Sequence, residues 1–271
     1  MRKYISSIIL LGVFLAIGIV LWVVFDHLFY FAYIGIFIFL GAFLKAKKSK
    51  YARRIVQFGV GLYMFVFLGI LNRENMQIEG FWYYFFMGVF QATVIHYGVA
   101  KILGPFIFGR GWCGYACWTA AILDLLPYKV PSSERKNLEF IRYIVFVSSI
   151  IFVGALYLFK VANIERIMFL SFIIGNIIYY VVGILLAFKF KDNRAFCKYI
   201  CPITVFLKPA SYYALIRVKV DVDKCIECGK CKKVCMMNVD ITDNSRKRIN
   251  GTECILCGDC KEVCPTGAIS F

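Results

Sequence analysis

The sequence predicts two parts in series: an all-α polytopic membrane domain of about six transmembrane helices, then a small α+β domain stapled by metal-binding cysteines. Two observations carry this expectation. The 271 residues are 61% hydrophobic, with a mean hydropathy of +0.73, whereas an ordinary soluble domain is only about half apolar. Charged residues make up 18% of the chain and crowd into a few loops and the last third, where ten of the 12 cysteines also fall. Residues 1–190 therefore read as the helical membrane domain, with a first cysteine-pair loop at 104–126. Residues 191–215 read as a membrane-edge segment with a second cysteine pair, and 216–271 as the cysteine-stapled domain.

The opening MRKYISSIILLGVFLAIGIVLWVVF has a basic start and an apolar run long enough to span, and no small-residue cleavage site follows it. It reads as an uncleaved first helix. At about 20 apolar residues per crossing, spans are expected at 5–25, 28–44, 55–71, 81–103, 140–159 and 166–188, with Asp26 and His27 forming a tight hairpin between the first two. Six crossings place both termini on one side. On that side fall 29 of the 32 Lys and Arg residues, against Arg73, Lys160 and Arg166 opposite. Basic loops are retained in the cytoplasm, so the expected location is the cytoplasmic (inner) membrane, with both termini and every cysteine on the cytoplasmic side. The net charge of +16 is then mainly a topology signal, with attraction to anionic lipid as a secondary effect. Nucleic acid is not needed to explain it.

A reducing compartment makes metal ligation a better first expectation than disulfides. Residues 225–235 read CIECGKCKKVC and 254–265 read CILCGDCKEVCP, so C-x2-C-x2-C-x3-C occurs twice. In bacterial-type two-[4Fe-4S] ferredoxins, three cysteines of each run bind one cube and the fourth crosses to the other. That assigns Cys225, Cys228, Cys231 and Cys264 to cluster one, and Cys254, Cys257, Cys260 and Cys235 to cluster two. Structural zinc would usually show two C-x2-C knuckles instead. Gly229 and Gly258 relieve crowding in the loops. The flanks IRVKVDV (216–222) and GAISF (267–271) are suited to pair as strands. A domain of about 55 residues has little core of its own, so the clusters serve as its staples.

The stretch GRGWCGYACW (109–118) has a counterpart in FCKYICP (196–202). Each is a C-x3-C following a membrane helix, and i,i+4 positions share a helix face. Together Cys113, Cys117, Cys197 and Cys201 would put four sulfurs in one place, enough for a third metal or cluster site or for two redox-active dithiols. The plainer alternative is four packed thiols.

A membrane segment carrying GRGWCGYAC, a second carrying FCKYICPIT and then the two-cluster module resemble the polyferredoxin-like membrane proteins related to NapH, NosR and CcoG, over roughly residues 80–271. The resemblance implies electron transfer between a membrane or quinone-linked site and a redox partner. Similarity to the CcoG-like members would instead imply a copper reductase or cofactor-assembly factor using the C-x3-C thiols. The family's C-x3-CP cysteines correspond to Cys113 with Cys117 and Cys197 with Cys201. Trp118 stands where the first proline is usual, and Pro202 keeps the second.

His96, in FQATVIHYGVAKIL near the end of the fourth span, is a candidate to hydrogen-bond a quinone or ligate a haem, because intramembrane ionisable groups are functional by default. A histidine satisfied by a neighbouring helix is the alternative, and a bis-His haem would need His27 from the opposite side. Asp124 reads as a cap or a partner for a basic loop residue. The expected cofactors are two [4Fe-4S] clusters and a further metal or cluster at the paired C-x3-C motifs. The expected partners are membrane lipid, a cytoplasmic redox protein facing Lys224, Lys230, Lys232 and Lys233, and quinone. The protein reads as an electron carrier or oxidoreductase component in preference to a stand-alone enzyme.

Overall fold

The computed structural model describes residues 28–47, 49–246 and 251–271, together with isolated positions between 8 and 20. His27 lies outside the described residues, as does most of the first expected span, 5–25. Helix α1 (Leu28–Ala46) is apolar, and its stretch Tyr33–Ala46 is short for a full crossing. It packs on α2 (Ala52–Leu62), which continues into the wider turns of Tyr63–Leu71 to make one 20-residue crossing-length helix. Small residues allow the approach: a Cβ on Gly59 would meet the Phe37 ring at 2.1 Å, and one on Gly41 would meet Val56 at 2.1 Å.

The expected fourth span, 81–103, is not one helix. Helix α3 (Ile78–Met87) ends at Gly88, whose φ of 68° is left-handed. After the extended Gln91, α4 (Ala92–Phe108) restarts at an angle of 114°. The residues at the break, Val89 and Phe90, are themselves apolar, so the hydropathy run conceals it. The expected loop at 104–126 is likewise helical in most of its length, holding the end of α4, then α5 (Gly111–Tyr115) and α6 (Trp118–Leu123). Two further crossing-length helices follow, α7 (Ile141–Leu158) and α8 (Ile164–Phe190). The described residues thus supply three helices long and apolar enough to cross a membrane, or four if the bent pair counts as one; of the six expected spans, 5–25 falls mostly outside the described residues and 28–44 is short.

Polar side chains join these helices. Trp82 Nε1 donates to Ser149 Oγ at 3.1 Å, and Asn75 Nδ2 donates to the Met168 carbonyl and Ser171 Oγ, both at 3.0 Å. The starts of α2 and α7 and the end of α8 meet at one end of the bundle, where Arg53 reaches Asp124 and Arg142 reaches Glu253. Helix α9 (Ala195–Tyr199) and α10 (Thr204–Tyr212) complete that end.

The C-terminal part carries β1 (Lys219–Val220) and β2 (Ile269–Ser270), paired antiparallel with Lys219 opposite Ser270 and Val220 opposite Ile269. Its two short helices, α11 (Lys230–Lys233) and α12 (Asp259–Glu262), each follow the second cysteine of a run. Val218, Met236, Met237, Val239 and Ile241 fill its core, which is continuous with Leu207 and Cys113 of the helical part. A domain this small completes its core by packing on the bundle.

Candidate functional site

The two C-terminal runs fold alike. Each turns left-handed at the residue before its second cysteine and again at the glycine after it: Glu227 (φ 50°) and Gly229 (68°), then Leu256 (54°) and Gly258 (88°). Gly meets this demand without a Cβ clash, while Glu227 and Leu256 hold it at a local cost. Left-handed residues of this kind build the backbone N–H concavities found at iron–sulfur and phosphate sites. Cys225, Cys228, Cys231 and Cys264 line one cavity, with Thr266 beside Cys264. Cys235, Cys254, Cys257 and Cys260 line another, and the Val239 N–H donates to Cys235 Sγ at 3.3 Å. Among the described residues no group of three or more His, Cys, Asp or Glu is drawn close enough for a single metal ion. The donor set, four thiols per cavity with left-handed loops, fits a cube, whose four iron corners take ligands at wider spacing than one ion does.

The two sets differ in setting. Around the first, Cys228 is exposed and Ile226 is 62% exposed. Around the second, Ile255, at the position matching Ile226, is 1% exposed because its loop is pressed on α5. A Cβ on Gly114 would meet the Ile255 carbonyl oxygen at 2.5 Å, and Tyr115 Oη donates to the Leu256 carbonyl at 3.0 Å.

The paired C-x3-C motifs come together at the same end of the bundle. Cys117, Cys197 and Cys201 pack in one core cluster and line one narrow cavity with Gln77, His96, Tyr97, Lys101 and Tyr179. Cys113 is buried on the side facing Ile255 and Cys260. The motifs hold each other through a reciprocal exchange that spacing alone does not reveal. Arg110 and Arg194 each stand three residues before a first cysteine. Arg110 Nη2 donates to the Cys197 carbonyl at 3.2 Å, while Arg194 Nη1 donates to the Cys113 carbonyl at 3.1 Å and lies 3.9 Å from Cys197 Sγ. The repeated unit is therefore R-x2-C-x3-C, and the arginine was its unread letter.

Both guanidiniums are buried and each has a carboxylate. Asp124 takes Arg194 Nε and Nη2, both at 2.6 Å, and Arg53 Nη1 at 3.0 Å, so it pairs with the first turn of α2 and with the second motif at once. Burial opposes its ionisation, but Arg194 and Arg53 hold its carboxyl below the ordinary value. Arg110 pairs with Glu253, the residue before Cys254, and Glu253 also meets Arg135 at 2.8 Å, Arg142 at 3.1 Å and Lys208 at 3.7 Å. Glu253 is fully buried, so it ties the second cysteine run to the bundle through an excess of positive charge.

The four thiols are unequal. Burial pushes Cys197 up to about 11 and Cys201 up to about 12, and raises Cys117. Burial also raises Cys113, but Arg110, Lys101 and Arg194 outweigh it and leave that thiol below the ordinary value. His96 does not sit at the end of a straight helix as expected; it lies near the break, in the wall of the cavity lined by Cys117, Cys197 and Cys201. His96 Nε2, Tyr97 Oη and Tyr179 Oη are buried there without hydrogen-bond partners among the described residues, as polar groups around an intended guest would be.

A family model described as "4Fe-4S dicluster domain" matches residues 224–269, and one described as "4Fe-4S binding domain" matches 81–133 and 167–222. The first stretch holds both complete cysteine runs, and the two stretches of the second each hold one C-x3-C. Among curated proteins, the chain is similar to two uncharacterized proteins of Methanocaldococcus jannaschii. With MJ0750 it is 26% identical over 179 residues, 58% of this chain and 75% of that protein. With MJ0749 it is 27% identical over 164 residues, 56% of this chain and 61% of that protein. No solved structure matches it. The chain thus carries 4Fe-4S ferredoxin-type binding domains on a mostly helical frame with crossing-length apolar helices.

Proposed function

We propose that this protein is a membrane-bound iron–sulfur electron-transfer protein, relaying electrons between a membrane-side redox site and a cytoplasmic partner. Three cysteine sets would form the relay in spatial order: Cys113, Cys117, Cys197 and Cys201; then Cys235, Cys254, Cys257 and Cys260; then Cys225, Cys228, Cys231 and Cys264. Bound clusters supply the one-electron chemistry, and the protein supplies position and potential. The observation that carries the reading is the seating of the second run on the first C-x3-C loop, through Gly114 on Ile255, Tyr115 on Leu256 and Glu253 on Arg110. It leaves the other run facing outward, with Cys228 exposed and the lysines of α11 beside it. Those lysines suit an acidic soluble partner.

The match of one 4Fe-4S description to both C-x3-C stretches supports a third cluster at the four cysteines. Copper reduction or delivery needs accessible thiols, and the burial of Cys113 and Cys197 argues against it. The skew of basic residues supports a cytoplasmic-side location in the inner membrane, and the resemblance to NapH-like proteins favours quinol as the membrane-side donor. Anaerobic purification followed by iron and sulfide analysis tests the third centre. Three cubes give about 12 iron per chain, falling to about eight in Cys113→Ala. About eight in the unaltered protein, with four titratable thiols, would return the C-x3-C pairs to dithiol or copper chemistry.

A further inference from the structure

A groove of about 560 Å³ opens at the cysteine end of the bundle, between α1, the start of α2 and the second cysteine run. This size is in the range of sites that hold a small molecule. One wall is apolar, formed by Ile38, Gly41, Ala42 and Val56 of the two packed helices. The other carries Lys45, Lys50 and Arg54, with Ser49 and Tyr51 between them. Arg53 is engaged by Asp124 and Lys129 by Asp259 at 3.0 Å. Lys45, Lys50 and Arg54 have no carboxylate partner among the described residues. Glu262 and Asp259 close the far side, beside Cys257.

From this lining we infer that the groove is a binding site for one anionic phospholipid. Its phosphate would meet Lys45, Lys50 and Arg54, and an acyl chain would lie along the apolar wall. A soluble phosphate ester would satisfy the cations but leave Ile38 and Ala42 uncovered, whereas a lipid satisfies both walls. The wall helices are themselves apolar, so the chain's path continues along surface that lipid already covers. Cys257 and Tyr115 line the same groove. The headgroup's negative charge therefore lies beside the second C-terminal cysteine set and lowers the potential of a cluster held there.

The test uses the full-length protein in phosphatidylcholine nanodiscs, with binding of labelled phosphatidylglycerol measured by titration. One phosphatidylglycerol per chain is expected to bind in preference to the neutral lipid. Because each basic residue near a membrane surface contributes about 1 kcal/mol, Lys45→Gln with Lys50→Gln and Arg54→Gln is expected to weaken binding about 100-fold. The control Lys224→Gln with Lys230→Gln and Lys233→Gln removes equal charge elsewhere and is expected to change nothing. Ala42→Phe fills the apolar wall and is expected to weaken binding with all cations in place and iron content unaltered. Equal weakening in groove and control variants would reduce the effect to general surface attraction and overturn the site. So would the absence of any preference over phosphatidylcholine, or displacement of the lipid by inorganic phosphate at equal concentration. Iron content is measured in every variant, so failure of the lipid site is distinguishable from failure of the electron-transfer reading.

Discussion

Asp124 and Arg194 show how single residues set the geometry of the four-cysteine site. Asp124 sits after the first motif and Arg194 before the second, so one buried ion pair closes the two halves on each other. A buried charge that loses its partner costs about 3–5 kcal/mol. Asp124→Asn is therefore expected to lower unfolding free energy by about that amount, and Arg194→Gln likewise. The double variant should lose clearly less than the sum, because neither member of the Asp124–Arg194 pair is then left facing a missing partner, although Arg53 still loses its carboxylate; strict additivity in denaturant titrations would show that the two do not act as a pair. The pH sign follows from the direction of the shift. The Asp124 carboxyl is lowered in the folded state, so its stabilising contribution is complete above the unfolded value of about 3.9 and disappears as pH falls through the folded value.

Among the elements, α5 decides how the two parts of the molecule meet. Gly114 is the point of closest approach to the second cysteine run, with no room for a side chain beneath the Ile255 carbonyl. Gly114→Val should lift that run from the bundle while leaving all twelve cysteines in place. The expected result is unchanged iron content with electron transfer between the four-cysteine centre and the C-terminal clusters slowed at least about tenfold in stopped-flow optical traces. An unchanged rate would mean that this contact does not carry the coupling. The sequence made some elements legible and hid others, for identifiable reasons. Cysteine spacing revealed both C-terminal runs, and the alternation in IRVKVDV marked a strand that does pair with the last residues. Hydropathy sums could not reveal the break at Gly88, because the residues spanning it are as apolar as the helices on either side. Arg110 and Arg194 were readable as a repeated letter three places before each first cysteine. Glu253 was not, because its partners Arg110, Arg135, Arg142 and Lys208 are distant in sequence and meet only after folding.

For the whole molecule, the three cysteine sets differ in burial and in what they pack against. The crossing-length helices converge on an end where the four-cysteine site is buried, the second C-terminal set is seated against it, and the first set faces outward. Arg110 joins the inner two sites, donating to the Cys197 carbonyl and pairing with Glu253 beside Cys254, and its positive charge favours the reduced state of a cluster on either side. The central claim is that the four-cysteine centre and the cluster at Cys235, Cys254, Cys257 and Cys260 are adjacent members of one relay. Low-temperature electron paramagnetic resonance of the fully reduced protein tests it most directly. Adjacent paramagnetic centres should give a spectrum broadened by spin–spin coupling beyond that of the two C-terminal clusters alone, and Cys201→Ala should remove the extra broadening. A spectrum identical in the unaltered protein and in Cys201→Ala would contradict the account.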